Sequence, residues 1–447
     1  MANEHYNKKL KNVHSRKEKP DFKETLADLG LALVLGALSA LGAVAFRAMI
    51  SGLQTFFFDG GVREVPLLGH YYIILVPAAG GLAVGLIVHF LSPEARGNGI
   101  PQVMKAIAVS EGRIRPVVAA AKALAASICI GSGGSAGREG PIVQISASLG
   151  SSLGQWLHLH EDRVRLLVAC GAAGGIAATF NAPIAGALFA LEIIMRRVVT
   201  PVFAYVFLSA ITASYTASLF FGNTPLFTLP AYQLADPMEL FLYALLGLIC
   251  AVIAVAFIKA LYGLSDAVIP IKLPGYVKPA IGGLVVGLIG LYNVNLLGLG
   301  YSEIQKILTT DFSIGFLAVM GLLKLTATSF TLGSGGSGGI FSPSLFIGAS
   351  LGTAFAAVFR GIIPFGMAPG GAYGVVAMAA FFGAATRAPF TAVIIIFEIT
   401  QSFDLALPLM AAVSLSTAFS SLLTKGTIYT SQLQREGVNI DIPTRLD

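Results

Sequence analysis

Residues 131–141 read GSGGSAGREGP and residues 333–343 read GSGGSGGIFSP, and seven of the eleven positions agree. Both runs lie between apolar stretches and both end in proline, Pro141 and Pro343. A third proline, Pro101, closes GNGIP at 97–101. Proline is favoured in the first turn of a helix, where its missing N–H costs nothing. The chemistry on offer at these points is that of helix N-termini, whose free N–H groups and partial positive charge attract anions. Several glycine-flanked N-termini converging on one point make an anion site without a full buried cation. Such a site binds chloride weakly enough to release it, as conduction requires. Arg138 and Glu139 sit inside the first run. Ionised, a glutamate beside an anion site occupies the anion position; protonated or displaced, it clears the path. Carboxylates at membrane depth cost roughly 2.5–3.5 kcal/mol on insertion scales, so they tend to be functional or paired. The competing structural reading is a salt bridge to Arg138, although adjacent residues at a helix start point in different directions.

Other chemistries fit less well. GGSAG (133–137) and GGSGG (335–339) both match the G-x-S-x-G elbow of serine hydrolases, which needs a histidine base. The six histidines are His5, His14, His70, His89, His158 and His160, and none lies in the second half. An intramembrane serine hydrolase therefore stays a remote alternative. No G-K-[ST] follows the glycines, which excludes a Walker loop. His158 and His160 stand at i, i+2 in a polar stretch and read as a helix-end pair beside Trp156, an interface anchor. Cys129, Cys170 and Cys250 lack metal spacing and read as core thiols. No metal or cofactor is expected.

The elements that must position these residues are membrane helices. The 447 residues are 55% hydrophobic and 12% charged, with mean hydropathy +0.79, against about 25% charge in soluble domains. Apolar stretches at 26–50, 70–92, 116–130, 201–221, 238–260, 277–292, 313–332 and 405–424 are each long enough to span a bilayer or nearly so. Fifty-one glycines point to close helix packing and interrupted helices. The net charge of +6 is no nucleic-acid signal: residues 1–25 hold seven Lys or Arg against four acids. Such a basic flank places both termini on the cytoplasmic side. The first apolar run opens after about 25 polar residues, so no cleavable leader is expected.

The glycine runs belong to a duplication. Lys122 precedes Gly131 by nine residues, as Lys324 precedes Gly333. Ala182-Pro183 precedes Glu192 as Ala388-Pro389 precedes Glu398, and GNGIP is echoed weakly by GLGYS (298–302). The offset runs from 201 to 206. The expected organisation is a cytoplasmic tail at 1–25, a first membrane repeat at 26–220, a loop at 221–237, a second repeat at 238–424, and an inner-end helix with a short tail at 425–447. Repeats of this kind point to a transporter or channel with its site between broken helices near the midplane. The expected fold is all-α and polytopic, built from two inverted-topology repeats of tilted and broken helices.

GNGIP (97–101), GREGP (137–141), GGIFSP (338–343) and Tyr429 in GTIYTSQL resemble the CLC family of chloride channels and chloride/proton antiporters, over about residues 26–435. The resemblance implies a homodimer in the bilayer with one pore per subunit, here in the cell (inner) membrane of a prokaryote. It implies that Glu139 is the gate and carries protons on the outer side. Asn98, Gly99 and Ile100 would line the anion path, with Asn98 where most chloride-selective members have serine. Arg138 and Gly140 would flank the outer site. Ile340 and Phe341 would lend backbone N–H groups, and Tyr429 its hydroxyl at the inner end. An intact GREGP favours chloride over fluoride. In LFALEII (188–194) the second of two glutamates common in antiporters, the inner proton carrier, is Ile193. Chloride/proton antiport is the expected function, and a passive chloride channel is the alternative that Ile193 supports. Eighteen residues follow Tyr429, too few for the paired CBS domains of many relatives.

Overall fold

The computed structural model describes residues 22–60, 69–196, 200–230, 232, 234–363 and 366–438. Its order is helical throughout. In the first repeat come α1 (Phe22–Gln54), α2 (Tyr72–Phe90), α3 (Ile100–Val109), α4 (Val117–Gly131), α5 (Glu139–Trp156), α6 (Glu161–Phe180), α7 (Pro183–Phe189) and α8 (Thr200–Phe221). Their counterparts follow in the same order: α9 (Glu239–Val268), α10 (Lys278–Tyr292), α11 (Tyr301–Thr309), α12 (Ile314–Gly333), α13 (Phe341–Arg360), α14 (Gly370–Thr386), α15 (Pro389–Thr400) and α16 (Ala406–Leu423). A last helix, α17 (Thr430–Arg435), has no counterpart. Among the described residues no strand forms, and the two isolated bridges pair Gly97 with Ser337 and Gly137 with Gly339.

Among the described residues eight helices are long and apolar enough to cross a membrane. Two differ from the sequence expectation. The stretches at 116–130 and 277–292 are 15-residue helices, α4 and α10, shorter than a span. In their place α6 and α13 reach span length. Their apolar windows are 83% and 78% buried inside the protein. Helices that face other helices rather than lipid need not be uniformly apolar, so Gly, Ala and Ser dilute their signal. Lipid-facing helices keep theirs: Leu219, Leu422 and Leu322 are all well exposed.

Glycine makes the repeats fit. A Cβ on Gly81 would lie 2.2 Å from the Pro279 carbonyl oxygen, and one on Gly283 2.0 Å from that of Pro77. Each of α2 and α10 therefore lets the other's backbone into its groove. The short helices interlock the repeats from the other side. Glu192 accepts from the N–H groups of Phe390 and Thr391, at 3.2 and 2.8 Å, and so caps α15. Glu398 accepts from those of Ile184 and Ala185, at 3.0 and 2.7 Å, and caps α7. Each glutamate satisfies the free N–H groups at the start of the other repeat's helix. Glu192 is thus structural, as the matched spacing suggested.

Candidate ion pathway

The glycine runs are the breaks between α4 and α5 and between α12 and α13, and they cross at one place. Gly137 N–H donates to Gly339 O at 2.7 Å, and Gly339 N–H to Gly137 O at 2.6 Å. Alongside, Gly97 N–H donates to Gly336 O at 2.8 Å and Gly338 N–H to Gly97 O at 3.1 Å. Irregular backbone at this depth is tolerated because these groups satisfy one another. The two elbow serines are spent on the same scaffold. The Ser135 hydroxyl pairs with that of Thr328 at 3.1 Å, and Ser337 Oγ donates to Ala95 O at 2.7 Å. Neither has a histidine partner among the described residues, which removes the hydrolase reading.

The repeat lysines explain their own position. Lys122 is fully buried and donates to the carbonyls of Ala95, at 3.1 Å, and Gly97, at 2.6 Å. Lys324, equally buried, donates to those of Leu296, at 3.0 Å, and Gly298, at 2.9 Å. Each lysine therefore holds the loop that leads into α3 or α11.

Three helix starts carry the expected site residues. At α3, Asn98 is 7% exposed; its Oδ1 accepts from Ile100 N–H at 3.3 Å, and its Nδ2 has no partner among the described residues. Gly99 has φ +96°, a backbone that favours glycine, and a Cβ there would lie 2.6 Å from Gln144 Oε1. Ile100 is buried, with its N–H committed to Asn98. At α5, a Cβ on Gly140 would lie 2.3 Å from the Asn98 carbonyl oxygen, so this glycine lets the two helix starts meet. At α13, Ile340 is the N-cap and Phe341 the first residue; both are buried, and the Phe341 ring packs against Phe180 and Phe382. The first N–H groups of a helix have no intrahelical acceptor.

Glu139 is 1% exposed. Its Oε1 accepts a hydrogen bond from the Tyr301 hydroxyl, and its Oε2 has no partner among the described residues. Arg138 forms no ion pair with it among the described residues. The guanidinium carbon instead lies 5.3 Å from the centre of the Tyr301 ring, and Nε is unpaired among the described residues. The salt-bridge reading of the pair therefore gives way to one through tyrosine. Tyr429, 1% exposed, is the N-cap of α17, and its hydroxyl is also unpaired among the described residues. Asn98, Gly99, Gly140, Glu139 and Arg138 are thus brought to the crossing, while Tyr429 arrives from a separate segment. Sequence reading missed Tyr301. The signal was there in the GLGYS echo, where Tyr301 falls at the place of Ile100.

His158 and His160 lie between α5 and α6, both exposed, near the exposed Trp156. The three cysteines are buried.

A family model for the voltage gated chloride channel matches residues 80–421. A ClcB-like protein of Ralstonia nicotianae is 34% identical over 86% of this chain and 91% of its own. The H(+)/Cl(-) exchange transporter ClcA of Vibrio vulnificus is 32% identical over 92% and 90%. Chloride channel protein CLC-f of Arabidopsis thaliana is 33% identical, and the chain spans about half, 48%, of its length. Among solved structures, a slow cyanobacterial Cl-/H+ antiporter superposes with TM-score 0.81 at 23% identity, over 92% of this chain and 97% of that one. A CLC-type fluoride/proton antiporter follows at TM-score 0.79 and 26% identity, over 92% and 98%. With its crossing glycine runs, its buried glutamate and this likeness along most of its length, the chain belongs to the voltage gated chloride channel family, the CLC family that its motifs resemble.

Proposed function

We propose that the protein exchanges chloride for protons across a membrane, with Glu139 as the gate. The observation that carries this is Glu139 itself, buried at the crossing of the two repeats with one carboxylate oxygen unpaired among the described residues. Around it the helix starts offer donors without a partner among the described residues: Asn98 Nδ2, Arg138 Nε and the Tyr429 hydroxyl. Buried donors left unpaired are costly, and an anion satisfies them. Gly99, Ile100, Gly140, Ile340 and Phe341 bring backbone to the same path. The ionised carboxylate takes the anion's place; protonation or an arriving anion frees it, and the carboxyl then carries its proton outward.

Exchange transporters among the relatives support coupling. Ile193 favours a channel as the second reading, because Glu192 is engaged with Phe390 and Thr391 and no acid stands at 193. Intact GREGP supports chloride as the ion. The assembly is a homodimer with one path per subunit in the inner membrane of a prokaryote, both termini cytoplasmic, the repeats dividing at 221–237.

Liposomes loaded with chloride test the reading. With valinomycin as a potassium shunt, the protein dissipates a chloride gradient, and Glu139→Gln makes that flux independent of pH. Efflux equal to that of empty liposomes, from inserted and folded protein, refutes transport. A Glu139→Gln flux with the wild-type pH profile refutes the gate.

A further inference from the structure

The inference rests on the transport reading above and concerns the residue that holds the gate. The repeats use one device twice with different end groups. In the first, Lys122 grips the carbonyls of Ala95 and Gly97, and the loop delivers Asn98 and Ile100 to the start of α3. In the second, Lys324 grips those of Leu296 and Gly298, and the loop delivers Tyr301 to the start of α11. Ser342 Oγ, in the first turn of α13, donates to Leu299 O at 2.5 Å and pins the same loop to the anion-path helix. The Tyr301 ring lies between Phe227, 6.0 Å away edge-on, and the Arg138 guanidinium. Its hydroxyl is therefore aimed by groups other than the carboxylate it bonds.

We infer that the Tyr301 hydroxyl is an anion-site donor used in turn by two acceptors. It latches the ionised Glu139 carboxylate across the closed path, and it donates to the transported anion once that carboxylate has moved away. Its proton stays on the phenol oxygen throughout; only the acceptor changes. Hydrogen bonds to ionised acceptors are stronger than those between neutral groups. Tyr301 is half-buried with its hydroxyl on the buried Glu139 carboxylate, and a hydroxyl so placed that loses its acceptor meets a desolvation cost that the arriving anion removes. Sequence position hides this role, because Tyr301 and Glu139 come from different repeats, 162 residues apart.

The charged and titratable groups facing Glu139 are Arg138 beside it, Tyr301 from α11 and Tyr429 ahead of α17. Beyond Tyr301 stand Arg47 of α1 and, against Gly300, Lys324 of α12. Tyr301→Phe leaves all of these except the hydroxyl and keeps the ring against Phe227 and Arg138.

Two measurements test the assignment. In liposomes, where flux rises as protonation frees the gate, Tyr301→Phe moves the midpoint of the pH profile upward by about one unit, since the ionised carboxylate loses a charge-assisted donor. In detergent, calorimetric titration with chloride finds Glu139→Gln/Tyr301→Phe binding about ten-fold more weakly than Glu139→Gln alone. Thermal unfolding and gel filtration confirm that each variant is folded. If Glu139→Gln keeps the wild-type pH profile, the gate falls and this inference falls with it. If Glu139→Gln flattens the profile but Tyr301→Phe leaves either the midpoint or the affinity where it was, the shared donor alone is overturned.

Discussion

Gly137 and Gly339 exchange two backbone hydrogen bonds, at 2.7 and 2.6 Å, and so place the start of each repeat's broken helix against the other. The two glycines are not equivalent towards the gate. A Cβ on Gly137 would lie 2.1 Å from Glu139 Oε2, the end of a side chain that is able to move. A Cβ on Gly339 would lie 2.8 Å from the Gly140 nitrogen, which is backbone. Gly137→Ala is therefore expected to evict the carboxylate and flatten the pH profile of chloride flux while the protein stays folded. Gly339→Ala is expected to lower the thermal unfolding temperature in detergent. Equal effects of the two on flux and unfolding would mean that the carboxylate does not rest where the structure has it.

The buried lysines make a second pair. Lys324→Met leaves two carbonyls without their donor, at about 1–3 kcal/mol for each unsatisfied group, whereas Lys122→Met costs less, because Ala95 O keeps the Ser337 hydroxyl and Gly97 O keeps the Gly338 N–H. Both variants should unfold at lower temperature. Their transport phenotypes should differ, because one lysine holds the Asn98 loop and the other the Tyr301 loop. Lys122→Met should change the chloride-to-nitrate flux ratio, and Lys324→Met the pH midpoint. Competitive flux assays at fixed pH, and a pH series in chloride alone, separate the two.

Glu192→Ala and Glu398→Ala remove caps from α15 and α7. A lost helix cap costs roughly 0.5–2 kcal/mol, so both should be destabilised by comparable amounts in a denaturant or thermal series. Neither should alter the ratio of protons to chloride ions exchanged. A changed ratio in Glu192→Ala alone would make Glu192 a proton carrier despite its bonds to Phe390 and Thr391.

Asn98 stands where the family resemblance expects serine, and under the proposed function its Nδ2, without a partner among the described residues, is the group offered to the ion. Asn98→Ser should shift relative chloride and nitrate flux. Unchanged selectivity together with unchanged chloride affinity would remove Asn98 from the path.

Much of this was legible because the duplication repeats its chemistry in the sequence. Lys122 and Lys324, Glu192 and Glu398, and the two glycine runs stand at matched offsets, and each pair does the same task in the structure. What could not be read is what depends on meeting across the repeats. The spacing marked Glu192 and Glu398 as structural without saying that each caps the other repeat's helix. Tyr301 was visible only as a weak echo of Ile100, since its partner lies in the other repeat. The spans at Glu161–Phe180 and Phe341–Arg360 were hidden because hydropathy reports exposure to lipid, and these helices face protein.

Exchange rather than passive conduction is the central claim, and Ile193, buried where antiporters commonly carry an acid, is the feature that most strains it. The direct measurement is proton movement in liposomes given an outward chloride gradient and no initial pH difference. Exchange drives protons uphill, and an uncoupler abolishes the pH gradient that forms. Chloride moving at its Nernst potential with no uphill proton flux would contradict it, and Ile193 would then mark the chain as a channel.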